Sequence, residues 1–118
     1  MRIGLDLVSV EGVAESIAAH GEHYLTRIYT EAELRDSNGD PQRLAARFAA
    51  KEATLKALDC GDLAVPWTAI GVRRGAGGRP SLELSGAAAE LAAQRGVTSL
   101  QLSFTHERGY AAAVVLAS

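Results

Sequence analysis

R-F-A-A-K-E-A-T-L-K-A-L, residues 47–58, is the stretch around which the rest of the chain reads. It is rich in Ala and Leu and holds no Gly or Pro, the composition of a helix interior. Projected at about 100° per residue, Leu44, Phe48, Leu55 and Leu58 form one apolar stripe. Beside it runs a line of Ala45, Ala49, Glu52 and Lys56, which sets a carboxylate and an amine at i, i+4 among methyl-sized neighbours. Lys51 projects into the apolar stripe itself. A surface helix ordinarily carries its charges opposite its core face; here they stand next to it.

Asp40 as N-cap and Pro41 at the first helical position start this helix, and Gly61 stops it just beyond Leu58. Upstream, Ile3, Leu5 and Leu7 alternate with Gly4, Asp6 and Val8, the period of a strand. Asp6 therefore lies on the face opposite the three large aliphatics. From Ser9, an N-cap candidate, Val10, Val13, Ala14 and Ile17 recur at helical spacing until Gly21. Leu25 and Ile28 predict a short turn. Thr30 with Glu33 is a capping-box signature that opens a brief helix to about Arg35, and residues 37–40 form a loop.

Downstream, Pro66 and Trp67 lead into a strand over residues 69–73. A Gly-rich turn at 75–78 joins it to a second strand over 81–84. Ser85 is a cap candidate for a short Ala-rich helix over 87–95, closed by Gly96. Strands over 100–106 and 110–116 meet through Glu107, Arg108 and Gly109. This order predicts one α+β domain over residues 1–118, an antiparallel sheet packed with one long central helix and shorter helices. With one Trp, three Tyr and two Phe, the core is short of large side chains, and such a small domain often finds further burial in an oligomer interface.

Composition excludes several classes of partner. The formal net charge of -2 gives no global basic field for nucleic acid or anionic lipid. The single cysteine, Cys60, excludes an internal disulfide and a cysteine-based zinc cluster, and it fits a reducing compartment. No apolar run reaches membrane-spanning length, and the first residues carry an acid where a signal peptide would be apolar. The expectation is a cytoplasmic protein with neither nucleic-acid nor membrane partners.

Taken alone, Asp6 reads as a solvated strand residue, and Glu52 with Lys56 as a surface bridge worth about 0.2–0.5 kcal/mol. Together, one carboxylate on a strand and another on the small-residue side of a helix suit Mg²⁺. That ion takes one or two carboxylates and fills its octahedron with water and substrate phosphate. Arg47, Lys51 and Lys56 on the same helix are then candidates to hold phosphate, Lys51 from an interface or phosphate position. His106 continues the face of Leu100, Leu102 and Phe104; alone it is more often a packed strand-end residue. Gly78-Arg79-Pro80 is on its face a rigid turn. The glycines before it lack the Lys-Ser/Thr of a phosphate loop and open no helix. His20 and His23 have no third ligand at metal spacing and read as solvated.

Four motifs in this order resemble the short, single-domain holo-[acyl-carrier-protein] synthase family of 4'-phosphopantetheinyl transferases. They are Gly4-Leu5-Asp6, R-F-A-A-K-E-A-x-x-K-A at 47–57, Gly78-Arg79-Pro80, and S-x-T-H-x-x-x-Y-A-A-A at 103–113. The resemblance implies a Mg²⁺-dependent enzyme that moves the 4'-phosphopantetheine arm of coenzyme A to a serine of an apo acyl or peptidyl carrier protein, releasing adenosine 3',5'-bisphosphate. Asp6 and Glu52 match the family's metal ligands, and Lys56 the lysine on the diphosphate. Arg47, Gly78, Arg79, Pro80 and His106 match positions near the nucleotide half of coenzyme A. The resemblance also implies a homotrimer with active sites between subunits, serving fatty-acid, polyketide or peptide synthesis.

Two departures stand out. The first helix is acidic at Glu11 and Glu15, where relatives carry arginines that grip the carrier; Arg27 and the central-helix cations are the remaining candidates. Val8 stands where the longer, two-lobed transferases have a further acid. The competing readings are a non-catalytic coenzyme A or nucleotide-binding module of the same fold, and a structural protein whose helix is merely salt-bridged. The first is disfavoured by the Asp6, Glu52 and Lys56 set, the second by Lys51 in the apolar stripe.

Overall fold

The computed structural model describes all residues from Met1 to Ser118. Strand β1 (Arg2–Ser9) leads into helix α1 (Val10–His20), capped where Ser9 Oγ accepts from the Gly12 amide at 3.1 Å. The predicted short turn is a helix, α2 (Glu22–Ile28). Its start needs no side-chain cap, because Gly21 at φ 52° ends one helix and begins the next. Helix α3 (Glu31–Ser37) carries the expected capping box. The long helix α4 (Pro41–Ala57) begins with Asp40 Oδ1 accepting from the Gln42 amide at 2.9 Å. It closes with paired bonds from Asp59 N to Lys56 O and Cys60 N to Leu55 O, 3.1 and 3.0 Å, around a left-handed Asp59.

A single 3₁₀ turn (Trp67–Ala69) precedes the hairpin of β2 (Ile70–Arg74) and β3 (Pro80–Leu84). Helix α5 (Gly86–Gln94) and the hairpin of β4 (Leu100–Glu107) with β5 (Tyr110–Ala117) complete the chain. The strands form a three-stranded antiparallel sheet, β1-β5-β4, and a two-stranded one, β2-β3. Asp6 pairs with Ala113, which pairs in turn with Phe104.

Helix α4 lies against the three-stranded sheet, and small residues make the contact. Ala49, Ala50, Ala53 and Ala57 are buried beside Ala113, Val115 and Ala117. A methyl group built on Gly4 would stand 1.8 Å from the Ala53 carbonyl oxygen, so helix and strand meet backbone to backbone. Larger side chains flank this contact: Leu44 is buried in a cluster with Val13, Ile28, Tyr29 and Ala111 of β5, and Phe48 meets Trp67 in a tilted arrangement with ring centroids 5.1 Å apart.

So close an approach leaves no room for large side chains on the helix-facing side of β1. Gly4 and Asp6 occupy it beside α4, with Val8 packing on the core further along, and Ile3, Leu5 and Leu7 turn outward, 66, 64 and 66% exposed. They share that outer face with Val114 and Leu116 of β5.

Candidate active site

Glu52 and Lys56 lie near the end of α4, and the close packing of β1 brings Asp6 against them. Lys56 Nζ donates to Asp6 Oδ1 and to the Leu5 carbonyl, both at 3.0 Å. Its position in the last helical turn also sets the ammonium near the negative end of the helix. The Asp6 side chain is only 15% exposed, whereas Lys56 is 55% exposed. Burial raises the Glu52 carboxyl above its ordinary range, and the Asp6 charge adds to this; the Lys56 ammonium pulls it back. Two carboxylates that repel one another, beside a flexible ammonium, are what a divalent cation would relieve.

Glu52 borders two cavities. One, about 420 Å³, runs over Asp6, Ser9, Ser16, Tyr24 and Phe48. The other, about 580 Å³, is walled by Lys56 and by the segment from Asp59 to Trp67. No third Asp, Glu, His or Cys joins Asp6 and Glu52 in a metal-ligating group. The donor set fits Mg²⁺, which needs few protein ligands when water and phosphate complete its shell.

The other candidates lie elsewhere. Lys51 is fully buried, so the expectation of a phosphate or interface role is corrected. Its ammonium pairs with Glu33 Oε1 at 2.8 Å and donates to the carbonyls of Trp67, at 3.1 Å, and Ile70. All three of its donors are spent. Burial lowers the Lys51 ammonium and Glu33 raises it back in part. Arg47 is 3% exposed, donates from Nη1 to the Arg43 carbonyl at 3.0 Å, and leaves Nε without a partner. Burial depresses its guanidinium, and the nearby Arg74 charge adds to that.

Gly78 and Arg79 are exposed and Pro80 half-buried, at the tip of the β2-β3 hairpin. His106 is exposed near the end of β4, opposite Ala111. Neither the hairpin tip nor His106 lines a cavity that Glu52 borders. Asp6, Glu52 and Lys56 thus form one cluster, and the nucleotide candidates a separate set within a single chain.

One group escaped the sequence reading. Trp67 walls the larger cavity, and its tilted contact with Phe48 was not visible because the partner lies outside any shared element. His20 and His23 are exposed, as their reading as solvated side chains expects, and they edge a 330 Å³ cavity with Tyr24, Arg27 and Trp67. Tyr24 separates that cavity from the one over Asp6.

Glu52 borders one cavity with Asp6 and another with Lys56, on a helix packed through alanines to an antiparallel sheet, the fold and donor set that the motifs lead one to expect of a transferase acting on a phosphate-bearing group. The chain belongs to the 4'-phosphopantetheinyl transferase superfamily, whose family model matches residues 2–115. Within that superfamily it falls with the holo-[acyl-carrier-protein] synthases. It is 41% identical over 118 residues to the holo-[acyl-carrier-protein] synthase of Desulforudis audaxviator, covering 98% of this chain and 90% of that one. The corresponding protein of Koribacter versatilis is 42% identical over 117 residues, 96% and 94% of the two chains. Among solved structures, the Helicobacter pylori holo-[acyl-carrier-protein] synthase in complex with coenzyme A superposes with a TM-score of 0.89. It is 28% identical, covering 98% of this chain and 99% of that one.

Proposed function

We propose that this enzyme transfers the 4'-phosphopantetheine arm of coenzyme A to a serine of an apo carrier protein, with Mg²⁺ held by Asp6 and Glu52. The observation that carries this reading is the Asp6, Glu52 and Lys56 cluster, whose Glu52 and Lys56 line the cavity walled by Trp67. Mg²⁺ bound there would neutralise charge on the diphosphate. Glu52, with its raised carboxyl, is suited to accept the serine proton. As the serine oxygen bonds to the pantetheine-bearing phosphorus, the bond from that phosphorus to the bridging oxygen breaks. Lys56 stabilises the charge arriving on the leaving adenosine 3',5'-bisphosphate. Its long, half-exposed side chain can exchange Asp6 for phosphate without disturbing the core.

The carrier must bring its serine to Glu52 from outside. Arg27 supplies a cationic group beside the Asp6 cavity, with His20 and His23 next to it, whereas Glu11 and Glu15 on α1 are exposed acids. The exposed Ile3, Leu5 and Leu7 stripe supports a homotrimer, since an apolar face of this kind marks an interaction surface. Assembly would also allow another copy's hairpin tip or His106 to approach the cluster. We place the enzyme in the cytoplasm, in keeping with a lone reduced cysteine and with no helix long and apolar enough to cross a membrane.

The test incubates the protein with apo carrier proteins, coenzyme A and Mg²⁺, followed by mass spectrometry of the carrier. One phosphopantetheine added per carrier is expected. Coenzyme A binding with no mass gain on any of several carriers would instead mark a binding module. Sedimentation should give a trimer at micromolar concentration; a stable monomer would remove the shared-site reading.

A further inference from the structure

The wall of the larger cavity is a poorly packed loop held at both ends by cations that never reach the cavity. Gly61, Asp62, Leu63 and Ala64 are exposed, so the loop has little core of its own. At its start, Arg95 donates from Nε to the Leu58 carbonyl at 3.0 Å and from Nη2 to the Asp59 carbonyl at 2.9 Å. At its end, Lys51 grips the Trp67 and Ile70 carbonyls. Glu33 then ties Lys51 to two further elements. Its Oε1 accepts from the Thr30 amide at 2.8 Å, and its Oε2 from the Val72 amide at 2.7 Å.

We propose that the buried Lys51–Glu33 pair is a positioning device for the active site, locking the Trp67 end of this wall against α4 at the depth coenzyme A requires. The inference rests on the transferase reading above. Lys51 immediately precedes Glu52 in α4, so one turn of helix fixes both a metal-ligand candidate and the opposing wall. A buried ion pair is a costly way merely to hold a fold, because apolar residues of similar volume often do so as well or better. It does, however, point one side chain at the main-chain carbonyls of Trp67, in the wall, and of Ile70, where β2 begins, which an aliphatic residue cannot do. Trp67 then packs in a tilted arrangement against Phe48, ring centroids 5.1 Å apart, one turn before Glu52 on the same helix.

The double variant Lys51→Met with Glu33→Gln removes both charges and leaves no unpaired ion in the core. Trp67 is the only tryptophan of the chain, so its fluorescence reports this wall alone. A cooperative melt, a red-shifted emission before any ligand is added, and a KM for coenzyme A raised about tenfold are expected, with kcat within about threefold. A folded double variant with unchanged KM and unchanged emission would show that the pair only stabilises the core and would overturn the proposal.

Trp67→Leu keeps the gripped carbonyl and removes the indole. It should raise the KM similarly, and an unchanged KM there would overturn the proposal even if the double variant did not fold. The ligand-free emission shift does not depend on transfer chemistry. A shift in a protein that never modifies a carrier would therefore sink the transferase reading while leaving the lock intact.

Discussion

Helix α4 carries two lysines one and a half turns apart, each paired with an acid from another element, and their surroundings give them opposite roles. Lys51 and Glu33 are both fully buried, and every donor of the ammonium is engaged. Lys56 and Asp6 form the same chemical pair at 3.0 Å, but the lysine is 55% exposed. In the dry pair neither ion can leave without stranding the other, so its geometry is fixed. In the wet pair water screens the attraction, and Lys56 can release Asp6 to a metal ion at little cost. Chemistry requires the second arrangement and precision the first.

The largest effect on stability should come from splitting the buried pair. Lys51→Ala leaves the Glu33 carboxylate uncompensated in the core, and such a break costs about 3–5 kcal/mol. For a domain whose total stability is about 5–15 kcal/mol, thermal melts should show a Tm lower by more than ten degrees or no cooperative transition. A Tm within a few degrees of the parent would mean that water reaches Glu33.

Next in size is Gly4→Ala, which attacks the open pair indirectly. The added methyl collides with the Ala53 carbonyl, so β1 must move off α4 and carry Asp6 away from Lys56. Overpacking of this kind costs about 1–3 kcal/mol. Transfer activity should fall further than the lost stability explains, measured at a temperature where the variant is fully folded. Full activity in a folded variant would show that Asp6 need not approach the helix so closely.

The contrast between the two pairs also explains what the sequence could reveal. Caps and turns were legible because their causes are local: Ser9, Thr30 with Glu33, and Asp40 all cap as their spacing predicts. Asp6, Glu52 and Lys56 were legible as a group because strand alternation and helical spacing fix which way each points. The second duty of Glu33 was hidden, since its partners Lys51 and Val72 come from distant elements. A capping-box glutamate looks the same whether it ends in water or in the core. Lys51 was visible only as an anomaly, a charge in an apolar stripe, and the anomaly marked a core ion pair instead of a ligand. The helix wheel also ranked large side chains as the packing face. The close approach at Gly4 reverses that ranking, because a backbone-to-backbone contact selects alanine.

A smaller and opposite change in stability is expected at Glu52. Its carboxyl is raised by burial and by Asp6, so the folded state binds a proton more readily than the unfolded chain does. Its contribution therefore favours folding as pH falls through the raised value, and disfavours it at neutral pH. Glu52→Gln should raise the Tm slightly at neutral pH while reducing turnover about a hundredfold or more. Added Mg²⁺ should raise the parent Tm and leave that of the variant unmoved. In the metal-free parent, the Glu52 carboxyl should titrate above the ordinary glutamate range, read from stability against pH. A stable variant whose melt still responds to Mg²⁺ would remove Glu52 from the metal site.

Lys56→Met should move stability least of all, and it is the mirror of the first experiment. The pair it breaks is half in water, where such bridges are worth about 0–1 kcal/mol, and methionine retains most of the aliphatic stem. Thermal melts should therefore superpose on the parent within a few degrees. Turnover should fall by about a hundred- to a thousandfold, the scale of losing one group that stabilises transition-state charge. The loss should lie mainly in kcat if Lys56 meets charge that develops during transfer, and in KM if it only holds the diphosphate. Titration of Glu52 in the metal-free protein offers an independent check. Lys56 holds the Glu52 carboxyl down, so its removal should move that titration to higher pH. A variant with lost turnover and an unmoved titration would separate Lys56 from Glu52. A variant that unfolds like Lys51→Ala would erase the distinction between the two lysines altogether.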